Sequence, residues 1–411
     1  MATPQSVVHG ILRPREVFAA LALSGLVFLH LWELPRLAAL HGGVTFVMAW
    51  VLCSLLFGLP LLLTPLLLGR RSRRSPLEGM AFLTREADAP RFWRAPAWAS
   101  ALLGLIAMAA VALVAGGSLN FLAHDLRLVS DSLLAASHSG AVLPLGSGSL
   151  MLLAAGLSLL APGKRAAVLS LGMLLILVLL AVAALAGLGT ATALYQAAPL
   201  TIDSWRAAMG LALCGTGAGA GLIWIAGMQA PREGGLGGFG LVALFAYLVL
   251  GLLLLLALAP FVSALQANAD GESLQIVPTG PAVWMLMPAL ILAALLALQL
   301  LAEPLLFWLA EKKMPRLQAV VLVFVLATLL SEVVWYVGGP AGLKLLLSAL
   351  ALVLLLVVLG LVLFAGWIMK VSHARKELSL PNEGLYNLWR VAVRIALPLA
   401  ILWVLTGFFS A

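Results

Sequence analysis

Charge is what this sequence has little of. Asp, Glu, Lys and Arg make up 10% of the 411 residues, hydrophobic types make up 63%, and the mean hydropathy is +1.13. A soluble domain carries about a quarter charged residues, so a water-soluble enzyme, a disordered chain and a nucleic-acid-binding domain are excluded. Cysteine is scarce too. Cys53 and Cys214 both fall inside apolar runs, which excludes a disulfide framework or a cysteine-spaced metal site. They read as small buried hydrophobes. No zinc-binding H-E-x-x-H and no G-x-S-x-G elbow occurs, and no paired acids fall within a helix break. An enzyme is therefore the least supported class for this chain, and no cofactor is expected, with sodium left open. Alternating strand patterns are missing as well, which argues against a membrane β-barrel.

Long apolar runs are what the sequence does have. A helix needs about 20 mostly apolar residues to cross the hydrocarbon core. Candidate spans are 16–39, 44–69, 95–122, 141–162, 167–190, 204–229, 236–263, 281–310, 317–338, 341–369 and 387–409, about eleven helices in one transmembrane domain over 1–411. The first run (Val17–Leu31) is followed by Glu33 and Arg36 without a clear small-residue cleavage site, so it is expected to be a permanent span and not a signal peptide.

The loops set orientation. Arg13, Arg15, Arg70, Arg71, Arg73, Arg74, Arg85, Arg91, Arg94, Lys164, Arg165, Arg232, Lys312, Lys313, Arg316, Lys370, Arg375, Lys376, Arg390 and Arg394 all fall on one side if eleven spans are threaded. The other side has only Arg36, Arg127, Arg206 and Lys344. The positive-inside rule makes the rich side cytoplasmic, with the N-terminus inside and the C-terminus outside. The net charge of +8 is thereby explained by the lipid bilayer and needs no nucleic-acid partner. Trp93, Trp98, Trp205, Trp284, Trp335 and Trp389 lie near expected helix ends, as an interfacial belt requires. The longest loops, 70–94 and 264–280, leave no room for a large soluble domain. A transporter, a channel, a membrane-embedded enzyme or a scaffold remains.

Two spans carry internal breaks. The first has Ser24-Gly25-Leu26 near its centre, and the sixth reads Cys214-Gly215-Thr216-Gly217-Ala218-Gly219-Ala220-Gly221. Each glycine costs a helix about 1 kcal/mol relative to alanine. Close helix packing through small residues is one reading of such a cluster. The other is a binding site, because interrupted helices at corresponding positions of two halves mark transporter sites. Helices one and six open successive five-helix halves, 16–190 and 204–369, with 387–409 as an additional C-terminal helix.

These residues carry a family resemblance. Leu34-Pro35 followed by Ala38-Ala39-Leu40-His41-Gly42-Gly43-Val44-Thr45-Phe46 is similar to the first-helix signature of the neurotransmitter:sodium symporters. Gly58-Leu59-Pro60-Leu61, then Gly69-Arg70 and Ser72, resembles their G-I-P-L…G-R stretch. Asp203-Ser204-Trp205 through Gly221 resembles their sixth helix, Glu303-Pro304 to Arg316 the end of the eighth, and Lys370 to Pro398 the last loop and eleventh helix. The resemblance implies an all-α, leucine-transporter-like fold with two inverted five-helix repeats and broken helices one and six. It also implies a central site between helices one, three, six and eight, and sodium-coupled amino-acid-like substrates. Substrate binding is then expected at Ser24, Gly25, Leu26, Cys214, Thr216, Gly217, Gly219 and Gly221.

The sequence also departs from that pattern. Two hydroxyl residues of the family's helix eight, which bind sodium, correspond to Ala297 and Leu298, which offer no oxygen. A helix-one Asn corresponds to His30 and a helix-six Thr to Gly215, with Thr216 adjacent. In helix seven the only polar side chain between Leu241 and Pro260 is Tyr247, and the helix-three Tyr that reads a substrate carboxylate falls near Ile106. Side-chain sodium ligands are thus expected to be lost, and sodium coupling is left open. At the outer gate, Glu33 stands where the family has Arg, with Lys344 and Arg206 as basic partners and Asp203 as a competitor. Glu311 matches the acid of the inner gate, with Arg13 or Arg15 opposite. His30 and Glu303 are ionisable residues at depth and hence candidates for proton coupling, while Glu332 is expected at the outer interface. The expectation is a secondary active transporter of a small amino-acid-like or amine solute, in a bacterial inner membrane. The alternatives are a proton-linked or uncoupled carrier of the same fold, or a transport-dead scaffold.

Overall fold

The computed structural model describes residues 33–125, 143–187, 199–230, 235–258 and 283–409. Among these, every regular element is helical. Helix α1 (Glu33–Leu40) turns through Gly42 and Gly43 into α2 (Val44–Ser72), and α3 (Pro76–Glu86) follows. Then come α4 (Ala95–Asp125), α5 (Leu143–Leu159), α6 (Pro162–Gly187), α7 (Ile202–Gly215), α8 (Leu222–Gln229) and α9 (Leu236–Leu258). The last group is α10 (Val283–Glu311), α11 (Arg316–Gly339), α12 (Ala341–Ile368), α13 (Val371–Leu378) and α14 (Glu383–Gly407). Eight of these helices are long and apolar enough to cross a membrane uninterrupted, and the apolar Gly146–Leu159 stretch of α5 is shorter.

Several boundaries differ from the sequence expectation for physical reasons. The sixth span, 204–229, is broken into α7 and α8 at its glycine cluster, as expected, whereas others depart from the expectation. The ninth and tenth run on almost without a loop, joined through a kink at Gly339 (φ 52°, ψ −140°) that a side chain would resist. The basic loop 70–94 contains α3, whose start is marked by Ser75, Pro76 and the first-turn Glu78 and whose last turn holds Arg85. Within α2, a π-turn at Ser54–Gly58 precedes Pro60, which supplies no N–H to the ladder, and the widened turn absorbs that loss.

The tightest crossing is between α2 and α8. A Cβ on Gly69 would lie 2.0 Å from the Trp224 carbonyl oxygen, and one on Gly227 would lie 2.1 Å from that of Leu66. Only glycine at both positions lets these backbones touch, the small-residue packing that replaces hydrophobic drive inside lipid. Helix α4 packs against α5, α10 and the continuous α11–α12 run, where Gly360 of α12 meets Pro96, and α6 packs on α9 and α10. By contrast α6 and α11 turn a broad apolar stripe outward, including Leu171, Leu174, Val178, Val321, Val325 and Leu329, as lipid-facing helices do. Cys53 and Cys214 are both free and buried.

Candidate functional site

Helix α7 stops at Gly215 and α8 begins at Leu222. Between them the i→i−4 ladder gives way to two short turns, Gly217 N–H to the Cys214 carbonyl and Ala220 N–H to that of Gly217, each 3.0 Å. Gly217 (φ 61°) and Gly221 (φ 83°) take left-handed backbone, which is the local reason this sequence cannot stay helical here. The Thr216 hydroxyl donates to the Leu213 carbonyl at 3.1 Å and so caps the end of α7.

The whole break is buried, from Thr216 through Gly221. Four helices converge on it. Thr216 lies beside Gly58 of α2; Gly219 abuts Leu354, Val357 and Val358 of α12; Gly221 abuts Pro304 of α10 and Pro76 of α3. Unwound backbone at membrane depth is tolerated only where protein or a ligand meets its polar groups. An opened helix held by four others is therefore a place where backbone N–H and C=O groups are available for recognition.

Ser24, Gly25, Leu26 and His30, and the contact expected of the Glu33 side chain, lie outside the described residues. Cys214, Thr216, Gly217, Gly219 and Gly221 are brought together at the break. Ala297 and Leu298 are buried on α10 and present hydrocarbon. Next to them, Gln299 is fully buried, and neither end of its amide meets a partner among the described residues. Sequence reasoning passed over it, although it is the only polar side chain between Ala289 and Ala302.

On the side of α7 away from the basic loops, Arg206 donates to Asp203 at 3.1 Å and stacks its guanidinium over Trp403 of α14, 5.9 Å from the ring centroid. Lys344 is exposed and makes no ion pair among the described residues. A capping box joins Thr201 and Ser204, and the Ser204 hydroxyl lies 3.3 Å from His41 Nδ1, which ties α7 to the α1–α2 turn. Deeper in, the Tyr247 hydroxyl of α9 accepts from Trp50 Nε1 (3.1 Å) on α2 and donates to the Leu211 carbonyl (3.4 Å) on α7. Tyr247, the only polar side chain of its run, is thus a bolt between three helices.

The arginine-rich loops are gathered at one end of the bundle and bound to each other. Glu303, expected beside the proline of α10, is 1% exposed and accepts from Arg165 of α6, itself 3% exposed. It also accepts from Arg316 of α11 at 3.1 Å, and Arg316 donates twice to the Ser158 carbonyl of α5. Four helices are clasped by one carboxylate. The sequence read Arg165 and Arg316 only as loop charges; a lone acid in an apolar helix was the signal that a cation must meet it. Glu311 accepts from the Ser75 N–H (2.9 Å) and hydroxyl, so it caps α3. Arg13 and Arg15, its expected partners, lie outside the described residues. Lys312 bonds Glu78 at 2.6 Å and holds that carboxyl below the usual range. Trp224 Nε1 donates to the Arg74 carbonyl (3.0 Å) and Arg73 to that of Met228 (2.6 Å), so α8 is pinned to the α2–α3 turn. Glu332, expected at the outer interface, accepts from Ser147 of α5 at 3.2 Å.

No protein-family description matches this chain, and no curated protein resembles it closely enough in sequence to count as a relative. Solved structures do resemble it. The crystal structure of MhsT in complex with L-phenylalanine superposes with a TM-score of 0.78 at 18% identity, covering 96% of this chain and 98% of that one. That likeness shows the fold: a leucine-transporter-like fold of the kind found in the neurotransmitter:sodium symporters, here in a divergent sequence. With this fold and its long apolar helices, the chain is a multi-pass membrane protein.

Proposed function

We propose that this protein is a secondary transporter that moves a small amino-acid-like or amine solute by alternating access around the helix break at Thr216–Gly221. The observation that carries the reading is the buried break itself, six residues of non-helical backbone held by four helices. Ser24, Gly25 and Leu26 would supply the facing half of the site, as paired broken helices do, with 16–190 and 204–369 as inverted repeats and 387–409 appended. The neighbour's bound L-phenylalanine makes that amino acid the first probe. Glu33, Lys344 and Arg206 are assigned to the outer gate and Glu311 to the inner one. The arginine-rich end is assigned to the cytoplasm of a bacterial cell.

A proton-linked or uncoupled carrier is favoured over a sodium-driven one, because Ala297 and Leu298 bring no side-chain oxygen to α10. A ligand shifts a conformational equilibrium only through differential binding, and a sodium ion without a site has none. His30 and Glu303 are the residues assigned to proton coupling, and the buried amide of Gln299, beside Ala297 and Leu298, is the side chain assigned to replace a lost ligand. The test is uptake of labelled amino acids and amines, L-phenylalanine first, into proteoliposomes, with ligand-dependent thermal stabilisation measured in parallel. Uptake that survives replacing sodium by potassium but changes between pH 6 and 7 supports the reading. Saturable sodium dependence overturns the coupling assignment. Absence of both binding and uptake across the panel favours a transport-dead scaffold.

A further inference from the structure

At the arginine-rich end, α13 forms the link between α12 and α14. It is a short helix anchored by buried Ala374 and Leu378, with a polar face toward α2 and α3. Arg71, at the foot of α2, donates to both carboxylate oxygens of Glu86 on α3, and its Nη1 reaches Glu377 of α13 at 3.4 Å. Arg70 Nε lies 3.7 Å from the other Glu377 oxygen. One residue cluster thus binds three elements. Its remaining member is His373, whose Nδ1 stands 3.8 Å from Glu86 Oε1 beside a small surface crevice lined by Phe364 and Met369.

Among the described residues, the groups facing His373 are few. From α3 there is Glu86; from α2 there are Arg70 and Arg71, each engaged with a carboxylate; beside it stand Lys370 and Glu377, the latter already turned to the arginines; α12 presents only apolar side chains. Lys370 opposes a charge on the imidazole and Glu86 favours it. At 3.8 Å the imidazole is too far for a good neutral hydrogen bond but within reach of an ion pair.

We propose that His373 and Glu86 form a proton-operated latch: the imidazolium clamps α13 to α3, and the neutral ring releases it. Arg71, chiefly through its hydrogen bonds, holds the Glu86 carboxyl below the usual carboxylate range, so its charge is available to an imidazolium 3.8 Å away. Histidine is the side chain type that changes charge between pH 5 and 8. The latch therefore closes as the compartment facing it acidifies. Released, α13 keeps Glu377 on the two arginines, its buried Ala374 and Leu378 and the Tyr386 hydroxyl on the Val371 carbonyl, but loses its His373 tie to α3, and the connection between α12 and α14 loosens on that side. This would let proton concentration govern the mobility of that end of the bundle whatever solute the protein carries.

The test uses the full-length protein in lipid nanodiscs with spin labels on Arg85→Cys of α3 and Lys376→Cys of α13, both exposed positions. The buried Cys53 and Cys214 are replaced by alanine in this background. The interlabel distance distribution is recorded at pH 5.5 and pH 8. A single narrow distribution at pH 5.5 that broadens about twofold at pH 8 is the expected result. His373→Gln and Glu86→Gln should each give the broad form at both pH values. His373→Gln sits on an exposed segment and carries the test alone if Glu86→Gln does not fold. Identical distributions at both pH values before His373 is replaced, or a pH response that persists in His373→Gln, would overturn the latch.

Discussion

Replacing Arg165 by methionine removes one side of a pair in which both side chains are almost wholly buried, 3% and 1% exposed. Removing one partner of a buried pair costs about 3–5 kcal/mol, because the other charge is left without compensation. Here Glu303 keeps Arg316 at 3.1 Å, but Arg316 is 38% exposed and already committed to the Ser158 carbonyl, so it compensates only in part. The expected loss for Arg165→Met is therefore at the lower end, about 3 kcal/mol. Glu303→Met strands the Arg165 charge and should cost at least as much. The double variant removes both buried charges and fills the space with similar hydrocarbon. Such replacements run from neutral to stabilising, so the double should cost about 1 kcal/mol or less, with Arg316 still satisfied by Ser158. The measurement is denaturant or thermal unfolding of purified protein in one fixed detergent, arranged as a double-mutant cycle. A coupling energy of several kcal/mol is expected. Additive losses, or an Arg165→Met cost under about 1 kcal/mol, would refute the reasoning. Such a result would mean that the pair is solvated and that the four-helix clasp holds nothing.

Two further outcomes are expected. Gly69→Ala and Gly227→Ala each place a methyl group about 2 Å from a carbonyl oxygen across the α2–α8 crossing, so each should destabilise by about 1–3 kcal/mol or more, read as a lower unfolding midpoint, while Gly238→Ala, whose methyl would meet nothing, should be near neutral. Glu78 is held below its ordinary range chiefly by its hydrogen bond to Lys312; the stability it contributes is present above the unfolded carboxylate range and is lost as pH falls through the lowered folded value, so unfolding midpoints of Glu78→Gln and the unmutated protein should differ near pH 7 and converge as the medium is acidified past that folded value, a difference worth under about 1 kcal/mol at this partly exposed site.

How much of this was legible beforehand depends on the range of the interaction involved. Composition alone determined that the chain lives in lipid, since 10% charge cannot cover a soluble surface. The break at Thr216–Gly221 was legible because it is local: clustered glycines cost a helix free energy wherever they stand, and Gly217 and Gly221 take the left-handed backbone their lack of a Cβ allows. The start of α3 was written in Ser75-Pro76 with Glu78, yet lay unread inside a basic loop. The partners of the charges were not legible. Arg165 and Glu303 are separated by 138 residues, and nothing in either neighbourhood names the other. Glu311 also accepts from Ser75 at the start of α3, a contact that its own neighbourhood does not announce, because it is set by how α10 ends against the α2–α3 turn. Hydropathy determines that a segment enters the bilayer because transfer free energy adds residue by residue along the chain. Which carboxylate meets which guanidinium depends on helix rotation and crossing distance. Those were decided in three dimensions by contacts such as Gly69 on Trp224, where an ångström of backbone approach is available only to one residue type.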